Sequence, residues 1–135
     1  ADKNAGSTAI VTATDPAAGM PSRVTRFILT KPLPNPWDLH GETTVDFAVR
    51  RGQTVSYRVW ARSPTRSKVQ WTFEQKAEPF KNVWYQEVIL TPQWKAYDYS
   101  FTIPDNYAAE TMAARVHAGF APGVVEVSAP VVAVK

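Results

Sequence analysis

The chain has 135 residues, enough for one domain whose core needs no covalent staples. It contains no cysteine, which excludes both a disulfide framework and a thiolate metal site. The formal charge of +3 is mild, and Arg50, Arg51, Arg58, Arg62, Arg66 and Lys68 form the only loose basic cluster, which argues against a nucleic-acid partner. No run approaches the ~18 apolar residues of a membrane span, so no membrane partner is expected.

Residues 1–7 lack a charged-then-apolar signal and read as a linker or disordered lead-in to a processed module, with the domain proper at 8–135. A first strand is expected over 8–14, stopped by Asp15-Pro16, and a second over 23–30. Pro32, Pro34 and Pro36 then form a rigid crossover that cannot donate to a ladder, with Trp37 at its end. The third strand is expected over 38–49, with Val45, Phe47 and Val49 inward and His40, Glu42 and Thr44 outward. Strands four and five follow over 54–62 and 68–75. In the fifth, Trp71 and Phe73 share parity with Val69 and belong to the core. Strands six and seven span 83–90 and 95–103, where Tyr97, Tyr99 and Phe101 alternate with Ala96, Asp98 and Ser100. Trp94 braces the turn between them. Residues 106–112 form the one helix candidate. The eighth strand covers 112–120, with Val116, Ala118 and Phe120 inward and Arg115 and His117 outward, and the last covers 124–134. Nine short strands with turn signals about every ten residues predict an all-β, two-sheet β-sandwich or jelly roll.

Catalytic patterns do not stand out. The chain has twelve acids, an ordinary number for a β surface, and its six glycines never cluster into a phosphate cradle. There is no Gly-x-Ser-x-Gly elbow. His40 and His117 are the only histidines, and each reads as a strand hydrogen-bonder or as half of a two-histidine metal site. The aromatic residues are the stronger lead. Flat indoles and phenols stack on the C–H faces of sugar rings, while neighbouring amides, imidazoles and carboxylates satisfy the hydroxyls. Trp37 is placed for this at the rim of a sheet; Trp84 fits a platform or the core equally. In a jelly roll, strands three and eight are neighbours, so His40, Glu42, Arg115 and His117 would share one exposed face. That face is either a glycan groove or a solvated, salt-bridged surface.

The ordered series Asn35-Pro36-Trp37-Asp38, Val59-Trp60-Ala61-Arg62-Ser63, Phe73-Glu74-Gln75, Glu78-Pro79-Phe80, Leu90-Thr91-Pro92-Gln93-Trp94-Lys95-Ala96-Tyr97 and Gly123-Val124-Val125-Glu126-Val127 resembles the carbohydrate-binding modules of families four, nine and twenty-two over residues 8–134. The resemblance implies a non-catalytic, monomeric jelly roll that binds β-linked plant polysaccharide, such as xylan or β-glucan. It also implies secretion from a bacterium and covalent attachment to a glycoside hydrolase. The implied site residues are Trp37, Gln75 and the aromatic Trp84, with His40 where many relatives carry glutamine. The segments that commonly supply a structural calcium site depart from the pattern here: an Asn-Pro-Gly-Phe-Glu-like opening is missing and Ala129-Pro130 replaces an aspartate. Asp15 and Asp105 are the loop acids left for such an ion, and no other cofactor is expected. The alternatives are a structural or adhesive sandwich without glycan binding, and a small lyase or hydrolase.

Overall fold

The computed structural model describes residues 5–135 and contains ten strands in two sheets. They are β1 (Gly6–Thr12), β2 (Arg23–Leu29), β3 (His40–Val45), β4 (Thr54–Arg62), β5 (Lys68–Gln75), β6 (Asn82–Ile89), β7 (Lys95–Thr102), β8 (Met112–His117), β9 (Gly123–Val127) and β10 (Val131–Val134). A single 3-10 turn, Pro36–Asp38, precedes β3.

The front sheet runs β3-β8-β5-β6, and all its pairs are antiparallel. The six-stranded back sheet runs β1-β2-β9-β4-β10, with β7 on the other edge of β4. On the edge opposite β7, β9 pairs with Ala61 and Arg62, while β10 pairs with Val55 to Arg58. These two strands are the halves of the single last strand expected from the sequence. They separate at Ser128-Ala129-Pro130, where Pro130 has no N–H to give the ladder and the Ser128 hydroxyl accepts from the Trp60 N–H at 2.9 Å.

Alternation sets the core. Val55, Tyr57, Val59 and Ala61 of β4 face Val69, Trp71 and Phe73 of β5 across the sandwich, and all are buried. Tyr57 ties the layers together: its hydroxyl donates to the carbonyl of Arg115 on β8 at 3.2 Å, and burial pushes its phenol well above the usual range. The opposite face of the back sheet buries a charge. Glu126 on β9 is 2% exposed and receives Arg26 from β2 at 2.9 Å and Arg62 from β4 at 2.8 Å. The Arg62 guanidinium lies 4.8 Å from the centre of the Trp94 ring, whose N–H reaches the carbonyl of Thr14 at 2.9 Å. Trp94 thus pins the loop after β1 to the turn before β7.

Four expectations need correction. Strand β1 begins at Gly6, so Gly6 and Ser7 belong to the sheet, and the buried Ala5 before them accepts from the Thr30 N–H at 2.6 Å; residues 1–4 lie outside the described residues. Strand β3 stops at Val45, and Val49 makes only an isolated bridge to Tyr107. That bridge, together with the left-handed backbone of Glu110 (φ +66°), gives residues 106–111 a bridge and turn, and Met112 the start of β8, in place of the helix expected over 106–112. Strand β8 ends at His117, because the next two N–H groups leave the ladder for the carbonyls of Leu39 and Pro36.

Removing the carboxylate of Glu126 leaves two arginines facing each other without their shared partner. We expect Glu126→Ala to destabilise the domain by about 3 kcal/mol, in the range for breaking a buried ion pair. Urea unfolding measures this; a loss under about 1 kcal/mol would show that water replaces the carboxylate.

Candidate functional site

Pairing on both sides of β8 places the outward side chains of the front sheet in ranks. His40, His117, Gln70 and Glu87 form one rank across β3, β8, β5 and β6. Glu42, Arg115, Thr72 and Tyr85 form the next, and Thr44, Ala113, Glu74 and Asn82 the third. The middle of this surface is a groove of about 630 Å³.

A cluster centred on Glu74 makes the floor. Its Oε1 accepts from Thr72 Oγ1 at 3.1 Å and Arg115 Nη1 at 3.2 Å, and lies 3.3 Å from His117 Nε2. Arg115 bonds Glu42 through Nε at 2.6 Å and through Nη2, and Nη2 also reaches the carbonyl of Lys76 at 3.3 Å. His117 Nδ1 meets Gln70 Oε1 at 3.0 Å. Burial acts to raise the Glu74 carboxyl. The hydrogen bond and charge of His117, then the hydrogen bonds of Arg115 and Thr72, outweigh it and hold the group below its ordinary value of 4.5. Glu74 is therefore an ionised acceptor at neutral pH. Its second oxygen has no hydrogen-bond partner among the described residues.

Two exposed aromatics flank this floor. Trp37, 56% exposed, sits on the 3-10 turn, which is closed by the Asn35 N–H on the Asp38 carboxylate at 3.1 Å. The turn packs against Gly119, where a Cβ would fall 2.7 Å from the carbonyl oxygen of Pro36; only glycine lets the backbones approach this closely. His40 Nδ1 lies 2.8 Å from the Trp37 carbonyl. A carbonyl only accepts, so this nitrogen carries the proton and the neutral ring offers Nε2 as an acceptor. On the opposite side, Phe80 is 49% exposed in the β5–β6 loop, with a left-handed backbone (φ +53°) and the Arg115 guanidinium 5.9 Å from its ring centre.

The structure brings five expected residues together: Trp37, His40, Arg115 and His117 line the groove, and Glu42 lies beside it on Arg115. It places two elsewhere. Trp84 points into the core, where its ring stacks on Phe101 at 4.7 Å and packs on Tyr57 and Tyr99. The reason is register: Trp84 pairs with Phe73, an inward position. Gln75 has the same inward parity, and its side-chain oxygen accepts from the Lys81 N–H at 3.2 Å, tying the loop that carries Phe80. The sequence reading missed Gln70, Glu74, Phe80 and Asn82. Parity would have found the first two, since they alternate with the core residues Val69, Trp71 and Phe73.

The residues present do not fit a shared calcium site. Asp15 follows the Thr14 carbonyl held by Trp94 at the start of β7, whereas Asp105 lies past its far end. The eight residues of β7 thus run between the two acids. No three His, Cys, Asp or Glu side chains converge in a metal-holding group among the described residues.

Because the folded chain holds Glu74 below 4.5, the unfolded chain takes up that proton first as pH falls. The stability Glu74 contributes is complete above pH 4.5 and is lost as pH drops through the folded value. Glu74→Gln should flatten the fall of unfolding free energy below pH 4.5, measured by denaturant titrations at successive pH values. An unchanged slope would mean that Glu74 is not the linked group.

No protein-family model matches this chain, and neither does any curated protein. Solved structures do. A family 4 carbohydrate-binding module superposes with a TM-score of 0.74 at 18% identity, over 99% of this chain and 82% of that one. The family 22 xylan-binding domain of a Paenibacillus barcinonensis protein gives 0.60 at 8% identity, over 98% and 86%. A Clostridium thermocellum xylanase carrying family 22 and glycoside hydrolase family 10 modules, solved with xylohexaose, gives 0.61 at 10% identity, over 98% of this chain but 25% of that one. The chain thus has the all-β sandwich fold of these carbohydrate-binding modules and resembles them along nearly its whole length.

Proposed function

We propose that this domain is a non-catalytic carbohydrate-binding module that binds β-linked plant polysaccharide, xylan or β-glucan, in the groove of the front sheet. The observation that carries the reading is the pairing of two exposed aromatics, Trp37 and Phe80, across a floor of hydrogen-bonding side chains. A sugar ring has apolar faces and a polar rim. Stacking on the aromatics buries the faces, while Glu74 Oε2, His40 Nε2, and the amides of Gln70 and Asn82 are available to the hydroxyls. The fold shared with family 4 and family 22 modules supports the same reading.

The state of the two groove carboxylates supports binding without turnover. A general acid for glycoside cleavage needs a raised pKa, whereas Glu74 is held low and both Glu42 and Glu74 are bound to Arg115. In this account the domain acts as a monomer within a secreted enzyme and raises the local concentration of an attached glycoside hydrolase on its substrate.

Affinity electrophoresis against xylan, mixed-linkage β-glucan, xyloglucan and cellulose should show retardation by at least one polymer. Trp37→Ala and Phe80→Ala should each weaken calorimetric binding of the matching oligosaccharide by about 1–3 kcal/mol, by analogy with other stacking platforms. Retardation by none of them would overturn the reading and favour a structural sandwich; reducing sugar released by the isolated domain would overturn the non-catalytic part.

A further inference from the structure

We infer that the groove rejects glycans bearing carboxylates, and that Glu42 sets this selectivity by masking Arg115. The inference rests on the glycan-binding reading above and adds the charge class of the ligand. Arginine is the side chain best matched to a sugar carboxylate, because two parallel N–H groups can meet its two oxygens. Arg115 is the cation on the groove floor, yet its donors are committed. Nε–H and one Nη2–H point to Glu42, the other Nη2–H to the Lys76 carbonyl, and one Nη1–H to Glu74. That commits four of the five N–H groups a guanidinium carries, and the one left cannot form a two-pronged contact. The Phe80 ring lies 5.9 Å from the guanidinium carbon.

The charges point the same way. With the histidines counted as neutral, as they are in the chain's +3, Glu42 and Glu74 contribute −2 against +1 from Arg115, so the floor cluster sums to −1. A uronate entering the groove meets like charge and no open cation, in a partly dehydrated site where such repulsion is strong. A neutral chain brings only hydroxyls, which donate to Glu74 Oε2 without penalty. Polyanions attracted by the net positive charge would gather on other faces without displacing it.

The test uses cellohexaose and its C6-oxidised uronate, and xylohexaose with and without a glucuronic acid branch. Each acid is also measured as its methyl ester, by calorimetry at pH 8. In the parent, the acid of the backbone that binds should be at least tenfold weaker than its neutral form, and the ester should recover most of the difference. Glu42→Ala removes the oxygen that both Nε and Nη2 of Arg115 bind, opens that edge, and should narrow the acid-to-neutral ratio at least fivefold, whatever it does to neutral binding. Equal parent affinities for acid and neutral forms overturn the inference, as does an ester as weak as the acid, which would reveal a steric cause. A ratio unmoved in Glu42→Ala removes Glu42 from the device. Binding of no oligosaccharide at all is a different failure, because it overturns the glycan-binding reading itself.

Discussion

Arg115 can stay on the floor of a groove, 12% exposed at its side chain, only because it is held between Glu42 and Glu74. A nearly buried guanidinium without partners would cost several kcal/mol, a large share of a domain's net stability, and a buried Glu74 without its donors would take up a proton. Each charge therefore makes the other tolerable. The pairing of β8 with β3 and β5 puts them in reach: Glu42 lies opposite Arg115 on one side, and Thr72 on the other, with Glu74 one rank further along β5. A slip of one residue in either ladder would turn this whole set into the core.

From that register follow the other parts of the groove. Tyr57 anchors the underside of β8 through the Arg115 carbonyl, so the strand bearing the cation is fixed from the core side. The walls depend on the ends of the same strands. Beyond His117, the backbone of Ala118 and Gly119 turns to the Leu39 and Pro36 carbonyls and holds the turn of Trp37. Beyond Gln75, the loop returns through Lys81 and presents Phe80. The walls are loops set by a rigid sheet, which suits the proposed binding of a polymer of neutral rings.

Much of this was legible in the sequence. The period-2 pattern of β3 and β8 identified His40, Glu42, Arg115 and His117 as one face, and their partnership across two strands is a consequence of parity and adjacency. Trp37 was legible because three prolines stiffen the approach to it. What failed was long-range information. Trp84 looks the same in sequence whether its strand is in one register or the next, and only pairing with Phe73 turns it to the core. Gln75 closes a strand where a side chain can reach either a ligand or its own loop, and the loop won. Phe80 was hidden in a Pro-aromatic segment whose left-handed backbone has no sequence marker, since that conformation is usually the mark of glycine. The break between β9 and β10 was signalled by Pro130, but a run of valines on both sides concealed it.

The central claim is that the front sheet, between Trp37 and Phe80, is where a glycan chain lies. Amide and indole shift mapping by NMR, with a titrated xylo- or gluco-oligosaccharide, tests it most directly. The account predicts the largest perturbations at the Trp37 indole and at Phe80, His40, Gln70, Glu74 and Asn82, with little change on the back sheet. Perturbations confined to Trp60, Arg58 and Asp98, on the outer side of β4 and β7, would contradict it.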